Sequence, residues 1–339
     1  MSNTSFNENI VKMDIKKYPP KNWNFLLQDC PNVNYYQTEE HAKYRSKIFG
    51  DIPLFTRFYD NENKIIGQAL LFQRRFALRK FKKIFGDGSI YSVFKKMSRP
   101  IKKFTWYHSL IIFDKTYSKK ILNAFGNFFV SNNYSFDGFF NPISGLRFKD
   151  DFGFKEESYG TFIINLKDNL NEILQKSNKH SVQKNIIRSE KRGVTVKQIK
   201  TEKDVLSHYK LLKEHRLNNH LIPPSKNGTL EMYKIGKNVG VTGFLAINED
   251  EPVGSITVVS FNGHIVEQGI ARSKKDAENN LYSQDLLRLN IIKWGKENNC
   301  VDYDLAGVKL QNRTKKEDGI FRNKAKWGGQ FITYTKYSK

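Results

Sequence analysis

The chain has 339 residues, about twice the length of one ordinary domain, and 57 Lys and Arg against 34 Asp and Glu give it a net charge of +23. A hydrophobic content of 39% and an aromatic content of 14% exclude a disordered basic tail, which lacks the apolar surface to offset chain ordering. No apolar run reaches membrane-spanning length, residues 1–20 carry Asn, Asp, Glu and Lys where a secretion signal is apolar, and Cys30 and Cys300 form neither a disulfide framework nor a zinc site, so a cytoplasmic, metal-free protein with reduced thiols is expected.

In chain order, alternation predicts strands at Pro53–Asp60 and Lys64–Gln73, joined by the turn Asn61-Glu62-Asn63, with Gly67 inside the second strand. From Phe72 to Phe104 there are 11 basic residues and 1 acidic, with Phe and Tyr threaded among Arg74, Arg75, Arg79, Lys80, Lys82 and Lys83. A strand at Phe104–Phe113, a helix at Tyr117–Ser131, the pair Asn132-Asn133 and a strand at Tyr134–Phe140 follow. Leu170, Ile173, Leu174, Val182, Ile186 and Ile187 fall near one face of a helix, with Gly193 as its C-cap and a short strand, Val194–Val196, after it. A second amphipathic helix runs from Glu202 to Leu217, and Pro223-Pro224 ends that element. Strands at Gly243–Ile247, Pro252–Phe261 and His264–Ala271 form a meander whose second turn, Asn262-Gly263, supplies the positive φ angles of a tight hairpin. The helix Leu281–Glu297, the pair Asn298-Asn299 and the strand Cys300–Ala306 close the series.

Two phrases occur twice. Gly254 takes the place of Gly67, and helix, Asn-Asn, strand recurs with Asp137 and Asp304 each inside an aromatic run. Such similarity at half the chain length implies duplication, giving two α+β domains at 1–160 and 161–339, with the tail 320–339 packing on the first. The windows Leu174–Lys200 (8 basic, 1 acidic) and Val308–Lys326 (7 basic, 2 acidic) join the first window to hold +22 of the +23. Clustered charge on a folded chain points to a polyanion such as RNA, a nucleotide-linked substrate or acidic lipid headgroups, against the plain alternative of solvated lysine faces.

Three segments resemble the Fem-type peptidyltransferases, tandem GNAT-like acyltransferases: Asn185-Ile186-Ile187-Arg188-Ser189-Glu190-Lys191-Arg192-Gly193-Val194; Leu286 to Trp294 followed by Tyr303-Asp304-Leu305-Ala306-Gly307; and Gly319 to Gly329, with Lys324 and Trp327-Gly328-Gly329. Asn323 stands where that family usually has Phe. The resemblance implies two GNAT-like domains, each a mixed, mainly antiparallel sheet flanked by helices. It also implies transfer of an aminoacyl group from aminoacyl-tRNA to an amine on a nucleotide- or lipid-linked cell-envelope precursor, by a monomer with no cofactor or metal and with scope for peripheral membrane association. Arg74, Arg75, Arg79, Lys80, Lys82 and Lys83 are then the candidate contacts to the tRNA acceptor stem. An acyl-CoA-dependent N-acyltransferase and a non-catalytic RNA- or membrane-surface-binding protein are the alternatives.

Acetyl-CoA enzymes of this fold cradle pyrophosphate on a glycine-rich loop before a helix. Asp114–Ser118 and Arg272–Asn280, which hold that position, contain no glycine, while Lys83–Gly88 has the spacing in the wrong place. No Ser-His-Asp or Cys-His set at recognisable spacing points to a covalent route, so direct amine attack is the simpler chemistry. Asp304 is the candidate carboxylate that orients the amine, against a turn-capping Asp. Lys324 is carried over from the resemblance, for phosphate or for the developing oxyanion. Arg216, Tyr303, Glu267 and Lys326 are candidate substrate contacts; a salt bridge to Glu214 or Asp204 is the other reading of Arg216, and a core position that of Tyr303. Glu267 is expected opposite Asp304, His208, His215 and His220 are read as solvated or satisfied singly, and the Trp-Gly-Gly turn as packing.

Overall fold

The computed structural model describes residues 11–28, 30–78, 81, 84, 86 and 88–339. Its strands are β1 (Lys12–Lys16), β2 (Ile52–Tyr59), β3 (Ile65–Arg75), β4 (Pro100–Tyr107), β5 (Ile111–Ile112), β6 (Ser135–Phe139), β7 (Lys155–Asn165), β8 (Thr195–Gln198), β9 (Val241–Asn248), β10 (Glu251–Phe261), β11 (His264–Arg272), β12 (Asp302–Asp304), β13 (Val308–Lys309) and β14 (Gln330–Ser338). They form one continuous sheet in the order β1-β2-β3-β4-β6-β14-β7-β12-β11-β10-β9-β8, with β5 beside β3 and β13 beside β7.

That order is the duplication made visible. β2, β3 and β4 form a meander whose last strand runs parallel to β6, and β9, β10 and β11 form one whose last strand runs parallel to β12. The next position in each half is filled from elsewhere in the chain. β7 crosses to pair with β12, and β14 returns from the tail to pair with β6 and, over nine residues, with β7.

Each half has its own core. Trp106, Phe125, Phe129, Phe136, Phe140 and Phe148 fill the first, and a Cβ on Gly138 would lie 2.2 Å from the Trp106 ring, so that strand position admits only glycine. The helix Ser283–Glu297 lies over the second half, burying Leu286, Leu287, Leu289, Ile291 and Ile292 beside Tyr303 and Trp327.

Three expectations change. The strand expected over Phe104–Phe113 breaks after Tyr107, because His108 and Leu110 adopt left-handed backbone angles of +51° and +78°. The helix expected through Leu170–Ile187 is interrupted: Leu170–Lys176 ends at Ser177, Asn178 caps a wide turn by accepting the His180 and Ser181 amides, and Lys184–Lys191 follows. The strands β1, β7 and β14, and the helices Glu39–Phe49, Ser89–Met97, Lys226–Gly236 and Lys315–Ala325, were not anticipated. Among the described residues no helix is long and apolar enough to cross a membrane, and no group of three or more His, Cys, Asp or Glu could hold a metal ion.

Candidate functional site

Asp304 ends β12 and is buried. Its Oδ1 accepts a hydrogen bond from Thr161 Oγ1 of β7 and one of 2.8 Å from the Ala306 amide, so the turn-capping reading is correct for that oxygen. No partner among the described residues bonds Oδ2. Burial pushes the carboxyl up to about 6 against the opposing pull of Thr161, Ala306 and Lys324.

Lys324 projects from the helix Lys315–Ala325, is 6% exposed, and donates to the Ala306 carbonyl at 2.8 Å. Burial holds its ammonium below the usual lysine range, opposed by Glu267 and Asp304. Ala306 itself has φ of +62°, so the turn after β12 is held in a left-handed conformation through its N–H by Asp304 and through its C=O by Lys324. The two residues singled out in the sequence thus meet around one peptide.

Glu267 lies on the other side of the sheet. Val266 is the register partner of Asp304, so Glu267 leaves β11 by the opposite face, where Tyr303 donates to its Oε2 at 2.6 Å. The expected Glu267–Asp304 opposition is corrected by this one-residue alternation. Arg288 closes the group with a two-pronged contact to Glu267 at 2.9 and 3.1 Å. Its remaining Nη1 donates at 2.6 Å to Asn323, the residue that departs from the resembled pattern. Burial opposes the Glu267 charge, yet Arg288, Lys324 and Tyr303 together hold the carboxyl below its ordinary value.

The remaining candidates separate from this centre. Lys326 bonds Asp285 at 2.7 Å and the Ser181 carbonyl at 3.1 Å, and Asn185 bonds the same Asp285 at 3.0 Å. Lys326 is therefore a tie between three segments rather than a free cation. Arg216 is exposed near the end of the helix Glu202–Asn218; Asp204 instead pairs with Lys197 at 2.7 Å, and no ion pair to Arg216 occurs among the described residues. Arg74 reaches Asp137 at 2.9 Å, and Arg75 donates to the carbonyls of Ser98 and Gly50, so both spend their guanidinium bonds on the protein. Arg79, Lys80, Lys82 and Lys83 lie outside the described residues. His208 is buried between Ser255 and Thr257 with 2.8 Å contacts on both ring nitrogens, and burial takes it down to about 4.

The sequence reading missed the groups that the first half and the tail bring to Asp304. A bulge in β11 between Glu267 and Gly269 leaves Gln268 unpaired in the ladder, and its amide donates to the Tyr36 hydroxyl at 2.5 Å. Tyr36 stacks on His108 at 4.7 Å, beside the left-handed break after β4. Tyr334 of β14 lies so close to Gly307 that a Cβ there would stand 1.9 Å from its hydroxyl. The phenols of Tyr36 and Tyr334 are both raised, first by burial and then by the Asp304 charge. No local pattern announces either tyrosine; the Asn34-to-Gln37 capping box around Tyr36 is the one signal of local order.

A cleft of about 760 Å³ opens beside this centre, with Asn32 and Ile143 from the first half facing Asn165, His264, Asp302 and Trp327. Asp302 and Asp304 share a face of β12, so the cleft and the carboxylate are one strand repeat apart. The buried Trp327 indole N–H has no acceptor among the described residues. A Cβ on Gly328, whose φ is +70°, would lie 2.1 Å from the Lys176 carbonyl, so the Trp-Gly-Gly turn holds the cleft wall by close backbone approach.

No family model and no curated protein sequence matches the chain. Solved structures do. The chain is similar to FemX at 11% identity and a TM-score of 0.66, over 95% of this chain and 96% of that one. The chain has the Fem-type tandem GNAT-like fold. It is also similar to L-PGS from Bacillus licheniformis, at 12% identity and a TM-score of 0.57 over 94% and 91% of the two chains. A tandem GNAT protein from the clavulanic acid biosynthesis pathway shares 7% identity at a TM-score of 0.54 over 97% and 98%.

Within that fold, the stretch before the helix Ser283–Glu297 is the position at which acetyl-CoA enzymes hold pyrophosphate. Here Asp276 accepts the Ser283 amide at 3.0 Å and pairs with Arg272, so a carboxylate of the protein already occupies the helix N-terminus.

Proposed function

We propose that the protein is a Fem-type aminoacyltransferase that moves an aminoacyl group from tRNA to an amine of a cell-envelope precursor by direct attack. The observation that carries this reading is Asp304: a buried carboxylate with one unbonded oxygen and a raised pKa, held against the same turn as a buried lysine. Asp304 takes the ammonium proton of the acceptor. The freed nitrogen attacks the ester carbonyl carbon, the new C–N bond forms, and the Lys324 ammonium faces the charge that develops on the carbonyl oxygen. The ribose–ester bond then breaks, and the second nitrogen proton leaves with the ribose oxygen.

The Asp276 carboxylate at the pyrophosphate position argues for a donor other than coenzyme A, because the Ser283 amide at the helix start already donates to Asp276 and is not open to a phosphate. The cleft beside Asp302, lined by residues of both halves including Asn32, Asn165, Lys167 and Lys176, suits an acceptor that carries peptide carbonyls or phosphate. The test is acyl transfer with two donors in parallel, charged tRNA and acetyl-CoA, each with a nucleotide- or lipid-linked precursor amine. Consumption of acetyl-CoA alone would overturn the tRNA assignment in favour of an ordinary N-acyltransferase.

A further inference from the structure

We propose that the helix Ser89–Met97 is a docking element for an anionic bilayer surface, seating the protein where a lipid-linked acceptor is presented; the reason for docking rests on the function proposed above, the docking itself does not. Ile90, Val93 and Met97 recur at i, i+3 and i+7 and so share one face, and they are 65%, 58% and 79% exposed. Ile84, just before the helix, is 71% exposed.

These side chains are not outward because the helix is loose. Its other face is fastened: Tyr91 is buried and donates to the Ile48 carbonyl at 3.2 Å, and Lys95 bonds the carbonyls of Ser46 and Lys47 at 2.7 and 3.0 Å. Phe94 stacks on Phe81 at 4.0 Å, and Ser98 donates to the Phe76 carbonyl at 2.7 Å. A rigid mount that presents three aliphatic side chains to water costs free energy unless something covers them.

Charge names the occupant. Lys96 within the helix, and Arg99, Lys102 and Lys103 in the segment that follows it, are exposed with no ion pair among the described residues, within a window that carries 11 basic residues and 1 acidic. An apolar stripe flanked by lysine and arginine is the composition of a helix that lies in a bilayer interface, where aliphatic groups enter the acyl boundary and cations meet lipid phosphate. RNA fits less well, because isoleucine, valine and methionine offer no π face for a base to stack on, and Arg74 and Arg75 are committed to the protein.

The experiment is co-sedimentation of the full chain with vesicles of equal parts phosphatidylglycerol and phosphatidylcholine, with phosphatidylcholine vesicles alone, and with uncharged tRNA. The wild-type chain is expected to sediment with the anionic vesicles and to bind them at least about tenfold more weakly after Ile90→Asp, Val93→Asp and Met97→Asp together. The milder Ile90→Ser and Met97→Ser pair gives the same trend should the triple variant misfold by circular dichroism. Transfer to a water-soluble acceptor stays unchanged in these variants while transfer to a vesicle-borne one falls. Equal binding to neutral vesicles, sedimentation of the triple variant like wild type, or loss of tRNA retention in place of vesicle binding would each overturn the proposal. Vesicle binding is read without any transfer reaction, so a protein that docks yet transfers nothing would sink the enzymatic reading and leave the docking intact.

Discussion

Asp304 and Lys324 hold a single residue from opposite sides, the carboxylate on the N–H of Ala306 and the ammonium on its carbonyl, each at 2.8 Å. The carboxyl, raised to about 6 by burial, is ionised at neutral pH and protonated in mild acid. Transfer in which Asp304 is the base should therefore rise with pH through about 6 and then level. Asp304→Asn should abolish that ascending limb and lower kcat by about 100-fold or more, measured as single-turnover rates between mild acid and mild base. A wild-type profile flat across this range would remove Asp304 from the role.

The same raised pKa has a consequence for stability. A group that binds its proton more tightly folded than unfolded contributes stability below its unfolded pKa, and that contribution is lost as pH rises through the folded one. The Asp304 contribution therefore disappears near pH 6, and above it the buried charge is a cost. Asp304→Asn, which can still accept from Thr161 and Ala306, should be more stable than wild type by about 1–2 kcal/mol in mild base and not in mild acid, as read from urea unfolding.

Lys324→Ala should lower turnover by about 100-fold, the usual cost of removing one group that faces a developing oxyanion. Lys324→Met keeps the buried volume and should be as inactive while folding normally, which separates charge from packing. Normal turnover in the methionine variant would end the oxyanion role.

Glu267 and Arg288 are both almost fully buried and share two hydrogen bonds. Removing either partner leaves the other's charge uncompensated, so Arg288→Leu or Glu267→Leu should each cost about 3–5 kcal/mol, and the double variant should recover part of the loss. Additive losses in that cycle would show that the pair is not coupled.

Lys326, by contrast, belongs to the framework. Lys326→Met should lower stability by about 2 kcal/mol through its lost contact with Asp285, with KM and kcat little changed in the folded fraction. A selective rise in KM would return it to the substrate.

Much of the fold was legible because alternation and turn chemistry are local. The Asn262-Gly263 hairpin, the glycines at 67 and 254 and the repeated helix, Asn-Asn, strand phrase carry their own geometry. The break at Asn178 was missed because the apolar spacing on either side of it is helical, and the side chain that stops the helix is one asparagine. β14 was missed because its environment is made by two partners distant in sequence. In the site, Asp304 and Lys324 came from the motifs, whereas Tyr36, Tyr334 and Thr161 arrive through sheet order and a bulge that no single segment encodes. The first and last of the resembled segments also meet: Asn185 and Lys326 both bond Asp285, the residue just before the second.

The threading of β14 between β6 and β7 bears on motion. Opening the cleft by swinging one half away from the other would have to break a ladder that runs unbroken from β1 to β8. Any change in the width of the cleft therefore falls to its loops and side chains, with the sheet as the common frame of both halves.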